Sequence, residues 1–279
     1  MSKRLALPRL FELKAAGEKI TMLTAYDYPT ALLADKSGID LLLVGDSLGM
    51  AVLGYESTVP VTMEEMLHHT RAAARGAGQT PVVADLPFGS YQTGAGPALA
   101  NAIRLVKEGG ADAVKLEGGA EAANTLAEIV KTGVPVMGHI GVTPQSAALA
   151  GGYKVQGRDE AGARALLRAA LSLQEAGAFA VVLECVAAEA AAWISRQLRI
   201  PAIGIGSSGD CDGQVLVCYD MLGLTCGFIP SFVKKYAGFA GDAQRAFAAY
   251  AEEVRSGVFP AREQSFFMLE GEARKLEDS

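Results

Sequence analysis

The stretch LLLVGDSLGM (41–50) sets three leucines and a valine directly before Gly45, Asp46 and Ser47. An unbroken apolar run of this kind suits a strand buried on both faces. It ends in a carboxylate and a hydroxyl. An unpaired buried charge is costly, so Asp46 needs a partner such as a metal, a cation or water.

Six further runs repeat the pattern: KITMLTAYD (19–27), PVVADLP (81–87), AVKLEG (113–118), VPVMGHIG (134–141), FAVVLECV (179–186) and IPAIGIG (200–206). Between them lie segments of helical period. Leu99, Ala102, Ile103 and Val106 share one face, as do Ala163, Leu166, Leu167, Ala170 and Leu171. Thr62 and Glu65 form a capping box opening a helix over 63–76, and Gly109, Gly133 and Gly177 stand where helices should end. Strands alternating with helices predict βα units around a parallel sheet.

An eighth strand is harder to place. GQVLVCYD (213–220) has strand propensity but begins only seven residues after Gly206, whereas a parallel crossover usually needs a dozen or more. The spacing therefore favours a helix from an Asp212 N-cap to about Leu222, stopped by Gly223, with strand eight inside FIPSFVKKYA (228–237). A last helix over 241–257 aligns Phe247, Tyr250 and Val254, and the tail LEGEARKLEDS (269–279) has little to bury. The expected architecture is a single α/β domain over 1–279, a (β/α)8 TIM barrel with an N-terminal helical segment and a C-terminal extension. With 279 residues, half of them hydrophobic and a fifth charged, the chain can bury such a core.

The net charge of −6 gives no reason to expect nucleic acid or an anionic membrane as partner. Pro8, Arg9 and Glu12 interrupt any signal-peptide core, and no segment approaches a membrane span, so the expected address is the cytosol. Cys185, Cys211, Cys218 and Cys226 form no C-x-x-C pair, and the only histidines are His68, His69 and His139. A metal here should be held by oxygen.

In a (β/α)8 barrel the chemistry lies at the C-terminal ends of the strands. Those ends carry Asp46 and Ser47, Asp85, Lys115 and Glu117, His139, and Glu184. Asp46, Asp85 and Glu117 end three successive strands, and carboxylates so placed repel unless a cation or protons intervene. Mg2+ suits such oxygens and keeps positions for water or a bidentate 2-oxo acid. Lys115 and Glu117 lie two apart and so share the lumenal face, where the lysine can receive a substrate carboxylate. Glu184 follows the apolar AVVL, a setting that favours a general base.

Taken in order, TAYDYPTALLAD, LLLVGDSLGM, YESTVPVTMEEMLHHT, VVADLPFGSY, AVKLEGG, GHIGVTPQS, GGYKVQGR, VLECV, IPAIGIGS and DGQVLVCYDMLGL resemble the ketopantoate hydroxymethyltransferase family of the phosphoenolpyruvate/pyruvate barrel superfamily. The resemblance implies Mg2+-dependent transfer of a one-carbon unit from 5,10-methylenetetrahydrofolate to 3-methyl-2-oxobutanoate, on the route to pantothenate, by a homodecamer. It assigns Asp46, Asp85 and Glu117 to the metal, and Asp46, Ser47, Asp85 and Lys115 to the oxo acid. It makes Glu184 the proton acceptor and His139 a pocket residue. Two places depart from the family pattern: Ser231 stands where a Lys or Arg is usual, and Ser207-Ser208 where Ala-Gly is common. Competing readings are a related 2-oxo-acid C–C lyase or phosphonomutase and a non-catalytic oligomeric barrel. The lyases carry a K-K-C-G-H-type loop that none of the four cysteines here matches, and a scaffold gains nothing from crowding acids.

Overall fold

The computed structural model describes residues 7–147, 152 and 154–277; Gly151 and Tyr153 of the GGYKVQGR stretch, Asp278 and Ser279 of the tail, and residues 1–6 lie outside them. The apolar runs form strands β1 (Ile20–Thr24), β2 (Leu41–Val44), β3 (Val82–Asp85), β4 (Ala113–Glu117), β5 (Val136–Gly141), β6 (Ala180–Glu184), β7 (Ala202–Ile205) and β8 (Gly213–Leu216). They close in order into a parallel barrel, with β1 paired to β8. Helices α1 (Pro8–Ala16), α2 (Tyr28–Lys36), α3 (Leu48–Ala51), α4 (Met63–Gly76), α5 (Ala95–Lys107), α6 (Ala123–Val130), α7 (Glu160–Glu175) and α8 (Ala188–Gln197) precede β8, and α9 (Cys218–Met221), α10 (Phe239–Ser256) and α11 (Arg274–Glu277) follow it.

Side-chain alternation along each strand divides the core in two. Leu42, Val44, Val82, Ala84, Val114, Leu116, Val181 and Leu183 pack outward against the helices. Leu41, Leu43, Val83, Ala113, Met137, Val182 and Ile203 fill the barrel, whose floor receives Leu10 and Leu13 of α1. Continuing the inward parity puts Asp85, Lys115, Glu117, His139 and Glu184 on the lumenal side at the upper rim. The capping box of Thr62 and Glu65 forms as expected and starts α4.

The eighth strand lies where propensity placed it, at Gly213–Leu216, and not within 228–237. Asp212 therefore caps no helix. The crossover rule fails here because the strands are staggered: Gly213 pairs with Ile203, so the chain descends only about two residues, roughly 7 Å, from the top of β7. Seven extended residues reach about 23 Å, so no helix is needed. A Cβ at Gly213 would lie 2.5 Å from the Ile20 carbonyl oxygen, which makes glycine necessary at this close approach. The second half of the expected helix does form, as α9, and Gly223 at φ +67° follows it. The 228–237 segment is irregular and lays Phe232 against Gly206 at the end of β7. On α10, Phe247, Tyr250 and Val254 are exposed in the single chain, and the helix buries no residue.

Asp212 instead latches the barrel floor. Its Oδ2 accepts from Lys14 Nζ at 2.6 Å, the Ser195 hydroxyl at 3.0 Å and the Ala202 amide at 2.8 Å. Asp212→Ala strips one acceptor from three donors and should lower unfolding stability by about 3 kcal/mol. A urea midpoint equal to wild type would show that the latch contributes nothing.

Candidate active site

Strand register builds the site. Asp85 pairs with Lys115, Glu117 with His139, and Gly141 with Glu184, so neighbouring strands deliver these residues side by side. Asp46 follows β2 and donates its backbone N–H to Asp85 Oδ2 at 3.0 Å. Asp46, Asp85, Lys115, Glu117 and His139 are all buried; Ser47 and Glu184 are partly accessible. All seven residues proposed from the sequence thus lie at one rim.

Lys115 is the hub. Its Nζ lies 2.9 Å from Asp85 Oδ1 and 3.3 Å from His139 Nδ1. Burial opposes its charge, but Asp85, Glu117 and Asp46 outweigh that and hold its pKa above the ordinary lysine value. Burial, then the charges of Asp85 and Glu117, push the Asp46 carboxyl well above the usual range. Burial raises Asp85 too, against the pull of Lys115. Glu117 is lowered: burial would raise it, but His139, Lys115 and the Gln145 amide prevail.

His139 links the cluster to the mouth. Nδ1 stands 3.4 Å from Glu117 Oε1 and Nε2 stands 3.2 Å from Glu184 Oε2. Burial and Lys115 disfavour its cation, but Glu117 and Glu184 raise it to about 9. Two buried atoms remain without a properly angled hydrogen bond despite these close charges, Asp85 Oδ1 and His139 Nε2.

Two residues central to the network were missed in the sequence. Gln145, in the short 3-10 turn Pro144–Ser146, donates its side-chain amide to Asp46 Oδ2 at 2.8 Å and to the Leu86 carbonyl at 3.0 Å. Its backbone N–H donates to Glu117 Oε2 at 3.0 Å, and its Oε1 accepts from the Tyr91 hydroxyl at 2.7 Å. One buried glutamine thus holds two mutually repelling carboxylates in place. The stretch GHIGVTPQS contained it, but neither a charge nor a strand end marked it.

The turn bearing Glu184 is also held. Cys185 has φ +49°, alone among the described non-glycine residues in being positive, and its amide donates to the Ile205 carbonyl at 2.9 Å. Burial and then Glu184 push its thiol up to about 11. Ser207, one of the departures from the family pattern, donates its hydroxyl to the Leu183 carbonyl at 2.7 Å and accepts from the Val186 amide at 3.1 Å. It therefore closes the turn rather than facing a substrate. Ser208 caps its own loop, accepting from the Asp210 amide at 3.1 Å, and Ser231 is exposed beside Phe232. Ser47 meets the Tyr26 hydroxyl at 2.9 Å.

A closed parallel barrel with a buried lysine and carboxylate cluster at its C-terminal rim defines an enzyme of the (β/α)8 class. A model of the ketopantoate hydroxymethyltransferase family matches residues 4–262, and the chain belongs to that family. It is 58% identical over 263 residues to a 3-methyl-2-oxobutanoate hydroxymethyltransferase from Moorella thermoacetica, covering 94% of this chain and 98% of the relative. A protein of the same name from Carboxydothermus hydrogenoformans is 56% identical, with 95% and 96% covered. Among solved structures, a phosphoenolpyruvate phosphomutase from Streptomyces platensis subsp. rosaceus superposes with TM-score 0.61 at 17% identity over 98% of each chain. A phosphonopyruvate hydrolase complexed with oxalate and Mg2+ does so with TM-score 0.58 at 15% identity over 92% of each. These two likenesses show the fold.

Gln145→Leu removes the side-chain donor to buried Asp46 Oδ2 and to the Leu86 carbonyl, while the Tyr91 hydroxyl keeps the Glu117 backbone. It should cost about 2 kcal/mol or more in a urea titration. A loss near zero would mean that the carboxylates hold position without it.

Proposed function

We propose that the protein transfers a hydroxymethyl group from 5,10-methylenetetrahydrofolate to 3-methyl-2-oxobutanoate, giving 2-dehydropantoate for pantothenate synthesis in the cytoplasm. The observation that carries this reading is that Lys115, three carboxylates and the more accessible Glu184 share one rim. Family membership over nearly the whole chain supports it.

The residues fit a divalent cation. Among the described residues, no three His, Cys, Asp or Glu side chains form a ready-made metal group as they stand. Mg2+ does not require one: it commonly takes one or two carboxylates and fills the rest with water and substrate. Asp85 Oδ1 meets only the Lys115 ammonium, at a poor hydrogen-bond angle, and burial and then the charges of Asp85 and Glu117 raise the Asp46 carboxyl, so a cation would relieve the crowded acids. Asp46, Asp85 and Glu117 are the residues to hold it. Mg2+ would supply Lewis-acid stabilisation of the negative charge that develops on the 2-oxo oxygen of the substrate.

The chain's own groups do the rest. Lys115, held cationic, receives the substrate carboxylate, and Ser47, positioned by Tyr26, offers a further hydrogen bond. Glu184, oriented by His139, removes the C3 proton and leaves its electron pair in the enolate. C3 then attacks the folate-borne methylene as its bond to N10 breaks and N10 takes the proton held by Glu184; water next displaces N5 from the same carbon, supplying the hydroxyl and leaving its proton on N5 as tetrahydrofolate departs. The uncovered apolar face of α10 supports assembly into a homo-oligomer, a decamer by the family resemblance. No helix among the described residues is long and apolar enough to cross a membrane.

Glu184→Gln should retain Mn2+ and oxo-acid binding but slow C3 proton exchange of 3-methyl-2-oxobutanoate in D2O at least a hundredfold, followed by proton NMR. Exchange at the wild-type rate would remove Glu184 as the base.

A further inference from the structure

Outside the acidic cluster, between the rim of β4 and β5 and helices α6 and α7, lies a cavity of about 710 Å3. Glu117 and Gln145 of the cluster line its inner wall, so it abuts the buried acids. Small side chains make the room: Gly118, Gly119 and Ala122 on the α6 side, and Ala165 and Ala169 on α7. This volume is in the range that houses a drug-sized ligand, far more than a five-carbon oxo acid fills.

The wall chemistry is specific. Glu121 lines the cavity, and its Oε1 accepts the Gly119 N–H at 2.7 Å, which fixes the carboxylate against the wall. Phe88 also lines it and is 46% exposed, an aromatic face available for stacking. A fixed carboxylate beside an aromatic face suits a flat heteroaromatic ring with adjacent N–H donors on one edge. The 2-amino and N3–H groups of a reduced pterin form such an edge. Glu117 at the inner wall faces His139 Nδ1 at 3.4 Å, and the opposite nitrogen of that ring faces Glu184 at 3.2 Å, so the His139 ring alone stands between Glu117 and the base.

We propose that this cavity binds the pterin end of the one-carbon donor, with Glu121 accepting from its amino edge and Phe88 against its ring. The inference rests on the folate-dependent reading above. It divides the site into a buried oxo-acid subsite ringed by Asp46, Asp85 and Lys115, and an outer donor subsite between α6 and α7.

Steady-state kinetics of the full-length enzyme with 5,10-methylenetetrahydrofolate varied at saturating 3-methyl-2-oxobutanoate test it. Glu121→Gln, which removes the charge on a solvent-accessible side chain, should raise KM for the folate at least tenfold. Ala165→Phe, which fills the cavity from an exposed helix position, should do the same. Mg2+-dependent C3 exchange of the oxo acid in D2O without folate should stay within twofold of wild type in both. An unchanged folate KM in both variants overturns the proposal. Exchange falling in step with folate use overturns it as well, because the cavity would then serve the oxo acid or the fold. Absence of exchange in the wild type is a different failure: it defeats the enolisation reading, and the donor subsite with it.

Discussion

Three carboxylates and one ammonium, buried together at the rim of a barrel, set the terms for everything around them. Asp46, Asp85 and Glu117 repel one another in a region with little water, and Lys115 supplies only one compensating charge within the barrel wall. His139, raised to about 9, adds a second when protonated. The burial that raises Asp46 and Asp85 also strengthens any cation or anion pairing formed there. A cluster of this kind is tolerated where it has work to do, and it fits a metal and a chelating oxo acid better than water alone.

Holding such a cluster together takes structure from several parts of the chain. Parallel register sets Asp85 beside Lys115 and Glu117 beside His139 without any loop. Gln145 then separates and fixes Asp46 and Glu117 by hydrogen bonds, and Ser207 closes the strained turn at Cys185 that presents Glu184. Far below, α1 and Asp212 tie the staggered β7–β8 junction that lets the barrel close. The charged groups, Asp46 excepted, thus rest on strands, and the neutral hydrogen-bonding groups that orient them come from the adjoining turns.

Much of this was legible beforehand because period-two alternation in a covered parallel strand leaves few choices. If Val114 and Leu116 face the helices, Lys115 and Glu117 must face the lumen, and they do. The spacing argument misplaces β8 because the minimum crossover length assumes a full return along the strand, whereas Gly213 enters level with Ile203. Gln145 and Tyr91 are not legible in the sequence because uncharged residues in turns carry no periodic signal, and their importance arises only from contacts between distant parts of the chain. Ser207 drew attention as a departure, yet its role depends on a carbonyl and an amide across the rim that no local pattern reveals.

The central claim is that the buried acids are arranged for a divalent cation that in turn receives the oxo acid. Calorimetric titration of 3-methyl-2-oxobutanoate into the enzyme, with Mg2+ and after its removal by chelation, tests this most directly. The account predicts at least tenfold tighter binding with the metal. Equal affinity with and without any divalent cation would contradict it.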